Sequence, residues 1–89
     1  MKELCKINFK GLKDLYLGYN NISDIEILKN AKFEKLEELM LGGNKITDIN
    51  IFHKVNFNGL KCLRLYGNNI SNIEVLENVK FENLEILGL

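Results

Sequence analysis

The stretch "LYLGYNNIS", residues 15–23, returns as "LMLGGNKIT" at 39–47 and as "LRLYGNNIS" at 63–71, displaced by 24 residues each time. Each copy opens on leucines that alternate with polar or small residues, the period-2 pattern of a strand with one buried face. Each then reaches an asparagine, a residue that suits turns better than strand interiors. The placement of Asn20, Asn44 and Asn68 at one phase of a repeat is therefore the question the fold must answer.

Working outward, "FKGLKDLYLGYNNISDIEILKNAK" (9–32) and "FNGLKCLRLYGNNISNIEVLENVK" (57–80) are identical at 15 of 24 positions. Residues 33–56 hold the same frame with more drift. A fourth copy begins at Phe81 and runs to Leu89, and residues 1–8 match the tail of a preceding copy. The 89 residues thus form a single domain of three full repeats, 9–32, 33–56 and 57–80, flanked by partial repeats 1–8 and 81–89. Internal repetition of this period implies stacked supersecondary units, none of which buries its apolar face alone.

The leucines fall at Leu12, Leu15 and Leu17, followed by Asn20 and Ile22, and the same spacing follows from Leu36 and from Leu60. This pattern, LxxLxLxxNxI, resembles the leucine-rich repeat family. With the IxxIxxL tail, it looks like the class found in bacterial internalins and in a regulatory subunit of a type-one protein phosphatase, whose repeat is usually a little shorter. The resemblance covers essentially the whole chain. It implies an α/β solenoid of about three and a half repeats, with a parallel β-sheet on the concave face and short helices or helical turns on the convex face. It also implies a non-enzymatic module that binds proteins.

The residues support the same architecture. "SDIE" at 23–26 and "SNIE" at 71–74 have the form of capping boxes, "TDIN" at 47–50 is a weaker version, and apolar residues such as Ile25 and Leu28 follow at helical spacing. Asp24, Asp48 and Asn72 then fall just inside the caps, where negative charge suits the helix dipole. Phe9, Phe33, Phe57 and Phe81 open successive repeats and are expected to stack as a buried spine. The asparagines answer to the backbone. A chain turning out of the sheet leaves N–H and C=O groups unpaired, and a carboxamide has a donor and an acceptor for both. Asn20, Asn44 and Asn68 are expected to form a buried structural ladder.

Copies one and three differ at nine positions, and four of these, Asp14/Cys62, Tyr16/Arg64, Gly18/Tyr66 and Tyr19/Gly67, lie together, whereas the repeated leucines do not differ. These positions belong to the exposed strand face. Tyrosine, methionine and arginine are enriched in protein interfaces, so Tyr16, Tyr19, Met40, Arg64 and Tyr66 are the expected protein-binding residues. The alternative is self-assembly: strand residues Leu84, Ile86, Leu87 and Leu89 would form a self-association edge joining two copies.

Other functions find little support. The formal net charge is zero and no basic stripe crosses the sheet, which argues against nucleic acid. No apolar run reaches the roughly 20 residues of a membrane span, and with no signal-like apolar stretch the chain reads as cytoplasmic. The sole histidine, His53, aligns with Lys29 and Glu77 at a surface position and has no nucleophile to serve. Asp14, Glu37 and Glu38 on an open sheet make a poor cation site, and Cys5 and Cys62 occupy different repeat positions and read as free thiols. No cofactor is expected.

Overall fold

The computed structural model describes residues 11–30, 33–55, 57–79 and 81–89. Four three-residue strands, β1 (Asp14–Tyr16), β2 (Glu38–Met40), β3 (Cys62–Arg64) and β4 (Ile86–Gly88), form one parallel sheet in the order β1-β2-β3-β4. The register advances by one repeat per strand: Leu15 faces Leu39, Leu39 faces Leu63, and Leu63 faces Leu87. A parallel sheet built from consecutive strands needs a crossover after each one. Those crossovers carry helix α1 (Ile27–Asn30), a 3-10 helix (Asn50–His53) and helix α2 (Val75–Asn78). Each coil is therefore a strand, a turn, a short helical segment and a return.

The core is the inside of this stack. Leu36, Leu39, Leu41, Ile46, Ile49, Leu60, Leu63 and Leu65 are fully buried. The strand alternation sends Leu39 and Leu63 inward and leaves Met40 and Arg64 half-buried on the opposite side. Fully burying one leucine contributes about 1.5–3 kcal/mol, so these repeated leucines dominate the packing.

The phenylalanines behave partly as expected. Phe33 and Phe57 are buried and Phe81 is partly buried, whereas Phe9 lies outside the described residues. Phe52 stands where the IxxIxxL tail has leucine in the other two full repeats. It is fully buried, and its ring centroid lies 6.4 Å from Phe57 and 6.1 Å from Phe81 in tilted and edge-on contacts. Its alignment with Leu28 and Leu76, both packed in or against the core, was the available signal.

The capping boxes are corrected. Helix α2 starts after Glu74 with no side-chain cap hydrogen bond. Instead the Glu26, Asn50 and Glu74 N–H groups donate to Asp24 Oδ1, Asp48 Oδ1 and Asn72 Oδ1 at 2.9, 2.9 and 2.8 Å. The column expected to act through charge at a helix end acts through local Asx turns, which explains why uncharged Asn72 serves as well as aspartate. Ser71 ties coils together: its N–H and Oγ both donate to Thr47 O, at 3.1 and 3.3 Å.

Candidate functional site

Backbone pairing continues beyond the short strands and builds the turns that carry the site. Leu17 N–H donates to Met40 O at 2.9 Å and Tyr19 N–H to Gly42 O at 3.0 Å, and Leu41 and Gly43 repeat this with Arg64 O and Tyr66 O. Beyond these bonds the chain turns inward and asparagine takes over. Asn44 Oδ1 accepts from Asn20 N–H at 2.8 Å and Ile22 N–H at 2.9 Å. Its Nδ2 donates to Leu17 O and Leu41 O, both at 2.9 Å, and more weakly to Gly42 O at 3.3 Å. Asn68 repeats the arrangement one coil later, binding Ile46 N–H, Leu41 O and Leu65 O at 2.9–3.0 Å. Each of these side chains thus bonds the coil before it to its own. The expected buried ladder holds at Asn44 alone among the three: Asn68 is half-buried, and Asn20 is exposed, its Nδ2 donating to Gly18 O at 3.0 Å.

Tyr16, Met40 and Arg64 stand in register as one row across β1, β2 and β3. With strands about 4.8 Å apart, the row is about 10 Å wide. Tyr16 is exposed and its hydroxyl donates to Glu38 Oε1 at 3.2 Å. Partial loss of water and then that hydrogen bond, with the negative charge of Glu38, raise the Tyr16 pKa above its ordinary value. Glu37 forms an ion pair with Lys61 at 3.8 Å. Arg64 is half-buried beside Gly88, and its guanidinium has no hydrogen-bond or ion-pair partner among the described residues.

Tyr19 and Tyr66 converge on the middle coil. A Cβ on Gly42 would come within 2.9–3.0 Å of the Tyr66 ring, and one on Gly43 would collide with the Tyr19 ring. The two rings therefore lie against a bare glycine pair, one from each neighbouring coil. The three turns read Gly18-Tyr19, Gly42-Gly43 and Tyr66-Gly67, so each outer coil supplies one ring and the middle coil supplies none. That complementary exchange was the legible signal for Gly42 and Gly43.

Cys62 departs from its expected exposed position. It is a buried free thiol, because its short side chain stands in register between the longer Glu38 and Ile86. His53 is exposed, as its alignment predicted. Among the described residues no group of three or more His, Cys, Asp or Glu is arranged to hold a metal. Leu84, before β4, is partly buried, while Ile86 and Leu87 on β4 and Leu89 just after it are exposed.

The family model for leucine-rich repeats, two copies, matches residues 10–57, more than half of the chain. The chain belongs to the leucine-rich repeat family. Among solved structures, a leucine-rich internalin from Listeria monocytogenes resembles it at 26% identity and a TM-score of 0.57, over 88% of this chain and 28% of that one. The chain therefore spans little more than a quarter of the internalin's length. Comparison with curated protein sequences returns no match. Leucine-rich repeat domains generally mediate protein–protein interaction and are typically non-enzymatic. Among the described residues no helix is long and apolar enough to cross a membrane.

Proposed function

We propose that the chain is a non-enzymatic protein-binding module whose concave sheet face, formed by Tyr16, Tyr19, Met40, Arg64 and Tyr66, holds the partner. One observation carries this reading. Three exposed tyrosines, of which Tyr19 is 76% accessible, surround half-buried Met40 and Arg64 on a sheet face covered by no other described element. Large aromatics with one open face and arginine are the residue types that dominate binding energy at protein interfaces. The test is a double substitution, Tyr16→Ala with Arg64→Ala, assayed against protein partners recovered on the unmodified chain. Loss of capture with an unchanged melting temperature supports the reading. Full retention of every partner overturns it.

A second reading rests on β4. Leu87 is 44% exposed, although its counterparts Leu39 and Leu63 are completely buried, and Ile86 and Leu89 beside it are exposed as well. Under this reading Leu84, Ile86, Leu87 and Leu89 pair with the same residues of a second copy. Ile86→Lys or Leu89→Lys then lowers the molar mass in solution, while the Tyr16 and Arg64 substitutions leave it unchanged.

A further inference from the structure

The second residue of the turn pair, after Gly18, Gly42 and Tyr66, is left-handed in all three full repeats: φ is 59° at Tyr19 and 72° at both Gly43 and Gly67. Two coils meet this demand with glycine, which adopts the conformation freely. The first coil meets it with a tyrosine, for which positive φ is strained. The scaffold thus takes glycine here, and Tyr19 is retained at the expense of stability. Strain of this kind is a pointer to function when the strained side chain is exposed, and Tyr19 is the most exposed of the large apolar side chains described. Its ring is seated on Gly43 and the Tyr66 ring on Gly42. A side chain at either glycine would displace a ring.

The second observation is electrostatic. Two of the acidic groups on this face are engaged: Glu38 accepts from Tyr16, and Glu37 pairs with Lys61. The Arg64 guanidinium is unpaired among the described residues. It is also two residues from Tyr66 on the same strand line, about 7 Å along the sheet. A planar guanidinium selects carboxylates through two parallel hydrogen bonds.

Resting on the concave-face reading above, we propose that the occupant is an extended acidic peptide segment. It places an Asp or Glu carboxylate on Arg64 and, two residues away, an apolar or aromatic side chain against the rings of Tyr19 and Tyr66. The spacing follows from the partner's own geometry, because residues i and i+2 of an extended segment share a face about 7 Å apart.

The experiment is selection of random peptides displayed on phage against the immobilised 89-residue chain, followed by titration of synthetic versions of the winners. The expected peptides carry Asp or Glu two residues from a large apolar or aromatic residue. Arg64→Gln weakens them about 10-fold or more, as loss of a charged hydrogen bond does. Tyr19→Gly weakens them as well, yet raises the melting temperature, an opposition that a merely structural tyrosine does not produce. Winners that lack a carboxylate, or that bind Arg64→Gln undiminished while still losing affinity with Tyr16→Ala, overturn this inference and leave the concave-face reading standing. Winners indifferent to every substitution on the face, or no winners at all, overturn both.

Discussion

Asn44 carries five side-chain hydrogen bonds, to Asn20 N–H, Ile22 N–H, Leu17 O, Leu41 O and Gly42 O, at a buried position. Asn44→Ala strands several of these backbone groups at about 1–3 kcal/mol each, partly relieved by water. A net loss of about 3 kcal/mol in urea unfolding is expected. Asn20→Ala, at an exposed residue whose side chain donates to Gly18 O, is expected to lose less than about 1 kcal/mol. Equal losses at the two positions would refute the assignment of the ladder's strength to its buried rung. Tyr19→Gly should act in the opposite direction. Relief of the left-handed conformation is worth about 1–2 kcal/mol, part of which is offset by the lost ring contact, so a gain of about 1 kcal/mol is expected. Tyr16 adds a pH dependence with a definite sign. Its folded-state pKa is raised above the ordinary 10.0. Its contribution to stability is therefore fully present below pH 10 and is lost as pH rises through the folded value. In a chain whose other two tyrosines, Tyr19 and Tyr66, are changed to Phe, the phenolate absorbance reports Tyr16 alone. That titration should fall toward the ordinary range in Glu38→Gln.

The strands were the most legible elements because their evidence is repeated. Leu15, Leu39, Leu63 and Leu87 recur every 24 residues, and the parallel register advances by that step. Where a feature depended on competition between local options, the pattern ran out. Ser23 and Ser71 satisfy a capping-box template, yet the Glu26 and Glu74 N–H groups donate to Asp24 Oδ1 and Asn72 Oδ1 in local Asx turns instead. The middle crossover forms a 3-10 helix starting at Asn50, one residue earlier in the repeat than α1 and α2. The site shows the same division. The outward direction of Tyr16, Met40 and Arg64 was legible from alternation alone. The burial of Cys62 depends on the lengths of its neighbours across the sheet, and the seating of two rings on Gly42–Gly43 depends on side chains from three coils. Position within the sheet also separates chemically identical leucines. Leu63→Ala removes a fully buried side chain and is expected to cost about 2–5 kcal/mol. Leu87→Ala, at a half-exposed residue of the same repeat phase, should cost about 1 kcal/mol in the same assay.

At the scale of the whole molecule, stacked coils contact only their neighbours, so stability is close to a sum of coil and interface contributions. Local opening should then follow the number of covered faces. The middle coil, with Leu39, Leu41, Ile46 and Ile49 completely or almost completely buried, is expected to show the slowest amide exchange. Gly43 N–H, bonded to Tyr66 O, and Leu41 N–H, bonded to Arg64 O, belong to this group. Leu65 N–H is bonded to Gly88 O on β4, where Leu87 and Leu89 are exposed, and should exchange faster. The same amide separates the two readings of function. If a second copy covers β4, protection at Leu65 rises with protein concentration over about a hundredfold range, because association adds RT ln(1 + [L]/Kd) to the stability of what it covers. Ile86→Lys should then abolish that rise without changing protection at Gly43. Under the concave-face reading, protection at Leu65 is independent of concentration and increases at Leu17 and Leu41 only when a peptide occupies the row of Tyr16, Met40 and Arg64.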